Sequence, residues 1–179
     1  MAAAEERIIL NRAGVEEALE KLAQAIQAGC SNKTNLALVG LETRGVALAK
    51  RLADKLKPRL GIALPLGSLD ITLYRDDFKL RHKLASSSTK LGFDIAGKDI
   101  VLVDDVIFSG RTIRAALDAL ADYGRAASIR LAILLDRGHR ELPISPDFVG
   151  VRVASDKGEM VKVRLTEMDG KDEVVSIRL

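Results

Sequence analysis

Two adjacent carboxylates, Asp104 and Asp105, close an apolar run, and a short small-residue segment with Ser109, Gly110 and Thr112 follows them. The twelve residues Val101–Thr112 read VLVDDVIFSGRT, and a helical pattern begins where they end. A strand, loop and helix in this order put a ligand at the carboxyl end of a parallel strand. The helix N-terminus offers backbone N–H groups without intrahelical partners and the positive end of the helix dipole, which suits a phosphate. Gly110 allows close backbone approach, and Ser109 and Thr112 add hydroxyl donors. Two carboxylates would repel that phosphate on contact. They are compatible with it if they face sugar hydroxyls, or a magnesium ion, on another part of the same ligand. A ribose 5-phosphate has a dianion at one end and a cis-diol at the other, so the segment is expected to bind a phosphorylated ribose.

The elements that must hold this segment show in the apolar spacing. Arg7–Leu10 reads as a strand or extended arm, and Asn11 can cap the helix after it. Val15, Leu19, Leu22 and Ile26 share one helical face, and Gly29 ends that helix. Leu36–Leu41 reads as a buried strand. Gly45–Lys57 is a helix with Leu48, Leu52 and Leu56 inward, stopped by Pro58. Ile62–Leu64 and Ser68–Tyr74 read as strands around Pro65 and Gly67. Arg75–Lys98, basic and without apolar period, reads as a long surface loop with room for a short hairpin, and a loop of that length is usually functional or disordered. Asp99–Val103 is a strand, Asp104–Arg111 a loop, and Arg111–Tyr123 a helix ended by Gly124. Ser128–Leu135 is a strong strand, and short strands follow near Phe148–Val153, Val161–Leu165 and Val174–Ile177. The alternation predicts an α/β fold, with a mostly parallel central sheet flanked by helices in a single domain over residues 1–179.

Composition narrows the partners. Aromatic residues are only 3% of the chain and Trp is absent, so the core is aliphatic and a base-stacking platform for single-stranded nucleic acid is disfavoured. The net charge of +3 is compatible with anionic ligands without demanding a nucleic-acid face. The lone Cys30 excludes an intrachain disulfide and a Cys-rich zinc site, and reads as a structural thiol. No signal-peptide pattern opens the chain and no apolar run reaches the ~20 residues of a membrane span. The expected location is the cytoplasm, with no membrane partner.

The run VDDVIFSGRT resembles the ribose-phosphate signature of type I phosphoribosyltransferases. Leu38–Ala53, LVGLETRGVALAKRLA, resembles the strand, pyrophosphate loop and helix of the same family. With Leu69–Asp77, LDITLYRDD, and Asp136–Ile144, DRGHRELPI, the similarity narrows to the PyrR proteins and runs from about Ile8 to Ile177. That family regulates pyrimidine-operon transcription by binding messenger RNA, and many members also have uracil phosphoribosyltransferase activity.

The resemblance implies a type I phosphoribosyltransferase fold with a flexible loop near residues 75–98 and a small hood near 136–165. It implies that Asp104 and Asp105 hold the ribose hydroxyls and meet Mg²⁺ only indirectly, through those hydroxyls or water. Val106, Ile107, Phe108, Ser109, Gly110, Arg111 and Thr112 would hold the 5-phosphate. Thr43, Arg44 and Gly45 would hold the pyrophosphate, in a loop that in this family often has an unusual peptide geometry. The planar fork of Arg44 fits phosphate oxygens, and a cation at the start of a helix is unfavourable unless an anion is near. Arg75 and its loop would close over the donor, with Asp76 and Asp77 beside it and His82 further along. Arg137, His139 and Arg140 are the polar candidates of the hood over the base, and backbone groups around Val153–Ser155 would read the base edge.

The implied ligands are phosphoribosyl pyrophosphate, uracil, UMP and Mg²⁺, and the implied assembly is a homodimer or larger. One feature departs from the RNA-binding members, which carry a basic first helix. Here that helix shows Glu16, Glu17, Glu20, Lys21 and Gln24, and Ser145 and Pro146 replace a further basic position. Three carboxylates on that face would repel phosphates, which makes the enzyme the stronger expectation. The alternatives are a UMP-sensing RNA-binding attenuator, which can coexist with the enzyme, and a phosphoribosyltransferase for another base.

Overall fold

The computed structural model describes residues 5–74 and 88–178. The chain runs β1 (Glu5–Leu10), α1 (Arg12–Gly29), β2 (Leu36–Leu41), α2 (Arg44–Leu60), β3 (Leu66–Leu69), β4 (Asp99–Ile107) and α3 (Arg111–Ala121). It continues with β5 (Ser128–Asp136), β6 (Phe148–Arg152), β7 (Met160–Arg164), the one-turn α4 (Thr166–Asp169) and β8 (Glu173–Arg178). Five strands form a parallel sheet in the order β3-β2-β4-β5-β6. Its strands are nearly continuous apolar runs, as a sheet covered on both faces requires; every residue of β2 is buried.

The pleat sorts each strand between two cores. Leu36, Leu38, Val101 and Val103 face α1 and α2, packed with Leu19, Leu22, Ile26, Leu48 and Leu52. Ala37, Val39, Leu41, Ile100 and Leu102 face the other way, onto Ile113, Ala116 and Leu120 of α3. Two glycines set the contact between α2 and the sheet. A Cβ on Gly45 would stand 2.4 Å from the Val103 carbonyl oxygen, and one on Gly40 would stand 2.5 Å from that of Gly45.

Several local expectations hold and several change. Gly14 N–H donates to Asn11 Oδ1 at 3.0 Å, so Asn11 caps α1 as its position suggests. Pro58 does not stop α2. It falls in the last turn, and the helix runs on to Leu60, where Gly61 takes a left-handed conformation and its N–H donates to Lys57 O. The expected strands Ile62–Leu64 and Ser68–Tyr74 become one strand, Leu66–Leu69, followed by a 3-10 turn, Thr72–Tyr74. The end of the expected long loop is packed: Lys90 and Ser68 exchange backbone hydrogen bonds at 2.8 and 2.9 Å, and Leu91 and Ile95 are buried. Arg75, Asp76, Asp77 and His82 lie outside the described residues.

A second, three-stranded antiparallel sheet has the order β1-β8-β7. Its strands come from both ends of the chain as well as from residues 160–164, so this layer is not confined to the hood segment 136–165. Val163, Leu165 and Val174 pack its inner face onto the core of α1 and α2. No helix of the described residues is long and apolar enough to cross a membrane.

Candidate active site

Strands β2, β4 and β5 are neighbours in the sheet, so their carboxyl ends lie about 4.8 Å apart in sequence of pairing. The loops that leave them carry the residues singled out from sequence: 43–45 after β2, 108–112 after β4, and 137–140 after β5. The topology therefore gathers three segments that are widely separated along the chain at one rim of the sheet. Ligands of open α/β sheets bind outside that rim.

The middle segment differs from the loop expected over 104–111. Strand β4 continues through both carboxylates to Ile107, because Val106 and Ile107 pair with Leu135 and Asp136 of β5. The ladder hydrogen bonds outweigh the low strand propensity of two aspartates. Successive side chains in a strand point to opposite faces, so Asp104 continues the row facing α3 and Asp105 the row facing α2. Asp104 is 8% exposed. Its Oδ1 accepts the Asp105 N–H at 2.9 Å, and Asp105 Oδ1 accepts the Val106 N–H at 2.8 Å. Burial pushes the Asp105 carboxyl above its ordinary value, against the pull of the Val106 N–H and the Arg44 charge.

The next turn is built around Gly110, whose φ of 91° lies in the left-handed region open to glycine. Ser109 carbonyl oxygen accepts the N–H groups of Glu141 and Leu142 at 3.0 and 3.1 Å, which pins the turn to the loop after β5. Arg111 Nε donates to Glu141 at 2.9 Å. Helix α3 has no side-chain cap, and neither does α2, whereas α1 has one. Ser109 Oγ accepts the Arg111 N–H at 3.4 Å, and the two helices that begin at this rim present there the positive dipole ends that an anion can use. The Glu42–Thr43 peptide that leads into α2 is cis. Arg44 Nη2 donates to both carboxylate oxygens of Asp169, at 3.2 and 3.1 Å, a partner no local sequence signal announced.

After β5 the side chains are tied to one another. The Arg137 guanidinium stacks over the Phe108 ring, 4.5 Å from its centroid, and donates to Ser155 Oγ (3.0 Å) and to the Asp156 carbonyl (2.8 Å). Burial lowers its pKa from the ordinary guanidinium value, opposed by Glu159. His139 takes a left-handed backbone (φ 59°), and its ring edge meets Phe108 at 5.9 Å between centroids. Its Nε2 lies 2.6 Å from the Ser155 carbonyl oxygen. A carbonyl only accepts, so Nε2 carries the hydrogen and cannot serve as a base. Arg140 holds the loop itself, donating to Ile144, Phe108 and Gly138 carbonyls and pairing with Asp136 at 2.9 Å. Residues 136–139 and 152–155 line a cavity of ≈ 470 Å³, within the range of small-ligand sites. Sequence reasoning missed Ser155 as an anchor of Arg137, and it missed Asp156 and Glu159 altogether. Their role depends on a turn 18–22 residues beyond Arg137 that carries no periodic signal.

A family model described as a phosphoribosyl transferase domain matches residues 7–167. The chain is 52% identical over 174 residues to the Bifunctional protein PyrR of Chloroflexus aurantiacus, covering 97% of this chain and 96% of that one. It is 49% identical over 170 residues to the Bifunctional protein PyrR of Picosynechococcus sp., covering 95% and 96%. Among solved structures, a hypoxanthine-guanine phosphoribosyltransferase of Bacillus anthracis superposes with a TM-score of 0.73 over 98% of this chain and 100% of that chain, at 16% identity, which is a likeness of fold. The near-full-length identity, together with the matched domain over residues 7–167, establishes that this chain belongs to the PyrR proteins of the phosphoribosyltransferase domain family.

Proposed function

We propose that the protein transfers the ribose 5-phosphate of phosphoribosyl pyrophosphate to uracil, giving UMP and pyrophosphate. The observation that carries this reading is the uncapped start of α3 set directly beyond two carboxylates at the end of a buried strand. The 5-phosphate sits on the turn formed by Val106, Ile107, Phe108, Ser109, Gly110, Arg111 and Thr112. Asp104 and Asp105 face the ribose hydroxyls, and Thr43, Arg44 and Gly45 face the pyrophosphate.

As the bond from C1 to pyrophosphate loosens, positive charge grows on the ribose ring and negative charge on the leaving group. Fixed carboxylates on one side and a guanidinium with open N–H groups on the other stabilise that separation without reorganising. The base nitrogen then attacks C1 as the bond to pyrophosphate breaks and gives its proton to solvent, so no protein nucleophile is needed and the catalysis is positional and electrostatic. Among the described residues no cluster of three or more His, Cys, Asp or Glu side chains could hold a metal by itself. Asp104 and Asp105 would hold a Mg²⁺ indirectly, through ribose hydroxyls or water, and the ion would neutralise leaving-group charge. Arg75 belongs to the same reading as a group that closes over the donor.

Arg137, His139 and Arg140 form the base side. Arg137 is the member whose contacts fix the cavity wall, since it joins Phe108 to residues 155–156. Arg137→Gln is expected to raise the KM for the base about tenfold or more, the scale of lost charged hydrogen bonds, with the donor KM little changed. Steady-state kinetics with each substrate varied in turn checks this, and an equal rise in both constants would contradict it.

A panel of uracil, hypoxanthine and guanine, each with phosphoribosyl pyrophosphate and Mg²⁺, tests the choice of base by pyrophosphate release. The expected kcat/KM for uracil exceeds that for either purine by at least about 100-fold, as polar-edge recognition allows. Equal or faster turnover of a purine would replace uracil in the proposal.

A second reading, RNA-dependent regulation of a pyrimidine operon, is favoured by the relatives named bifunctional. Here the exposed carboxylates of α1 are used internally: Glu16 pairs with Lys55 and Glu20 with Arg59. They neutralise Lys55 and Arg59 of α2, which lowers the positive charge this face can offer phosphates. Titration of a pyrimidine-operon leader transcript is expected to show weak binding that UMP does not change and salt abolishes. Tight, UMP-enhanced binding absent from a scrambled RNA would establish a regulator acting through another face. A homodimer or larger assembly belongs to the same reading.

A further inference from the structure

Arg44 opens α2 at the positive end of the helix dipole, where a guanidinium is unfavourable unless an anion stands close. The chain supplies that anion itself. Asp169, 125 residues away, accepts Arg44 Nη2 on both oxygens. Asp169 is held in place for this contact. Its Oδ2 also accepts the Leu165 N–H at 3.0 Å, and that bond first, then Arg44, keeps its carboxyl below the usual range. The turn that carries it is latched to α2 by Arg51, which donates to Glu167 at 2.8 and 2.6 Å and to Asp172 at 3.0 and 2.8 Å. Yet Arg44 is not fully satisfied. Its Nε is buried and has no hydrogen-bond acceptor among the described residues. A buried donor left unpaired is costly, and a swing of the side chain onto a polyanion would relieve it.

We propose that Asp169 is an internal stand-in for the leaving pyrophosphate, holding Arg44 ready and competing with pyrophosphate for it. The proposal rests on the function proposed above for the identity of the external anion. Asp169 acts through Arg44, so it is a positioning residue. It keeps the guanidinium at the rim while the site is empty, and by recapturing it helps the product pyrophosphate leave.

The test is calorimetric titration of inorganic pyrophosphate, at fixed ionic strength and Mg²⁺, into wild type, Asp169→Asn, Arg44→Gln and the double variant. Asparagine keeps an oxygen for the Leu165 N–H and removes the charge. Asp169→Asn is expected to bind pyrophosphate about threefold to fivefold more tightly, the scale of a part-exposed ion pair. The gain should vanish in the Arg44→Gln background, and Asp169→Glu should return the affinity toward wild type. Unchanged or weaker binding by Asp169→Asn, with wild-type binding intact, overturns the proposal, as does a gain that persists without Arg44. Absence of pyrophosphate binding by wild type would instead overturn the functional reading beneath it. Thermal melts confirm that each titrated variant is folded, and Asp169→Ser, which also keeps an acceptor for Leu165, carries the comparison if the Asn variant is not.

Discussion

Asp105→Asn is expected to lower kcat by about two to three orders of magnitude while leaving the thermal midpoint at pH 8 unchanged or higher. In the proposed function the loss follows from removing a fixed negative charge that faces the ribose as it becomes cationic, an effect of the size seen when one preorganised electrostatic group is deleted. The retained stability follows from burial. Burial raises the Asp105 carboxyl above its ordinary value. A carboxyl raised in the folded state contributes stability below its unfolded pKa, and that contribution is lost as pH rises through the folded pKa. Above its folded pKa the charge of Asp105 is therefore a net cost to folding, which neutral asparagine lacks while still accepting the Val106 N–H. Asp104→Asn is expected to lower kcat by a similar factor. Turnover and thermal melts measured on the same preparations check both. Near-normal rates in both variants would remove the ribose assignment, and a steep loss of stability in Asp105→Asn would remove the burial argument.

Gly45→Ala is expected to destabilise the fold by about 3 kcal/mol, roughly 6–12 °C in a chain of this size. The added Cβ would sit 2.4 Å from the backbone oxygen of Val103, and backbone at the centre of a five-stranded sheet cannot yield as a side-chain tip can. Relief requires the start of α2 to lift from β4. Because residues 43–45 are also the proposed pyrophosphate segment, the donor KM should rise more than the base KM. Gly158→Ala is the control. Its Cβ would meet nothing within 4 Å and its φ is not left-handed, so its stability should change by less than about 0.5 kcal/mol. Chemical denaturation and donor kinetics of the two variants together decide the point. Equal stabilities would mean that α2 is free to shift.

What could be read from the sequence was local. The strand, carboxylate pair, small-residue turn and helix start of residues 101–112 announce themselves within twelve positions, because each step depends on a neighbour. The cap by Asn11 and the buried runs of β2 and β5 are legible for the same reason. The features that escaped depend on distant partners. Strand β4 extends through Asp104 and Asp105 because β5 continues beside it, and the apolar pattern alone ends the strand four residues too soon. By its type Pro58 reads as a stop for α2, but a proline in a last turn removes little and Gly61 supplies the terminus. Leu91 and Ile95 look isolated in a polar stretch, and only the bridge between Ser68 and Lys90 brings them into the core beside α3. The pairing of β1 with β8 joins the two ends of the chain, which no window of sequence can contain. The need of Arg44 for an anion was legible from the helix dipole, but the identity of that anion as Asp169 was not.

The most direct measurement is an amide-shift map of ¹⁵N-labelled protein titrated with UMP and, separately, with uridine. If the start of α3 holds the 5-phosphate, UMP will produce its largest shifts at Ser109, Gly110, Arg111 and Thr112, with Asp104 and Asp105 moving as the ribose engages. Uridine, which lacks the dianion, will leave the four turn residues nearly unmoved. Shifts of equal size at that turn from both ligands, or UMP shifts confined to another face of the sheet, would contradict the account.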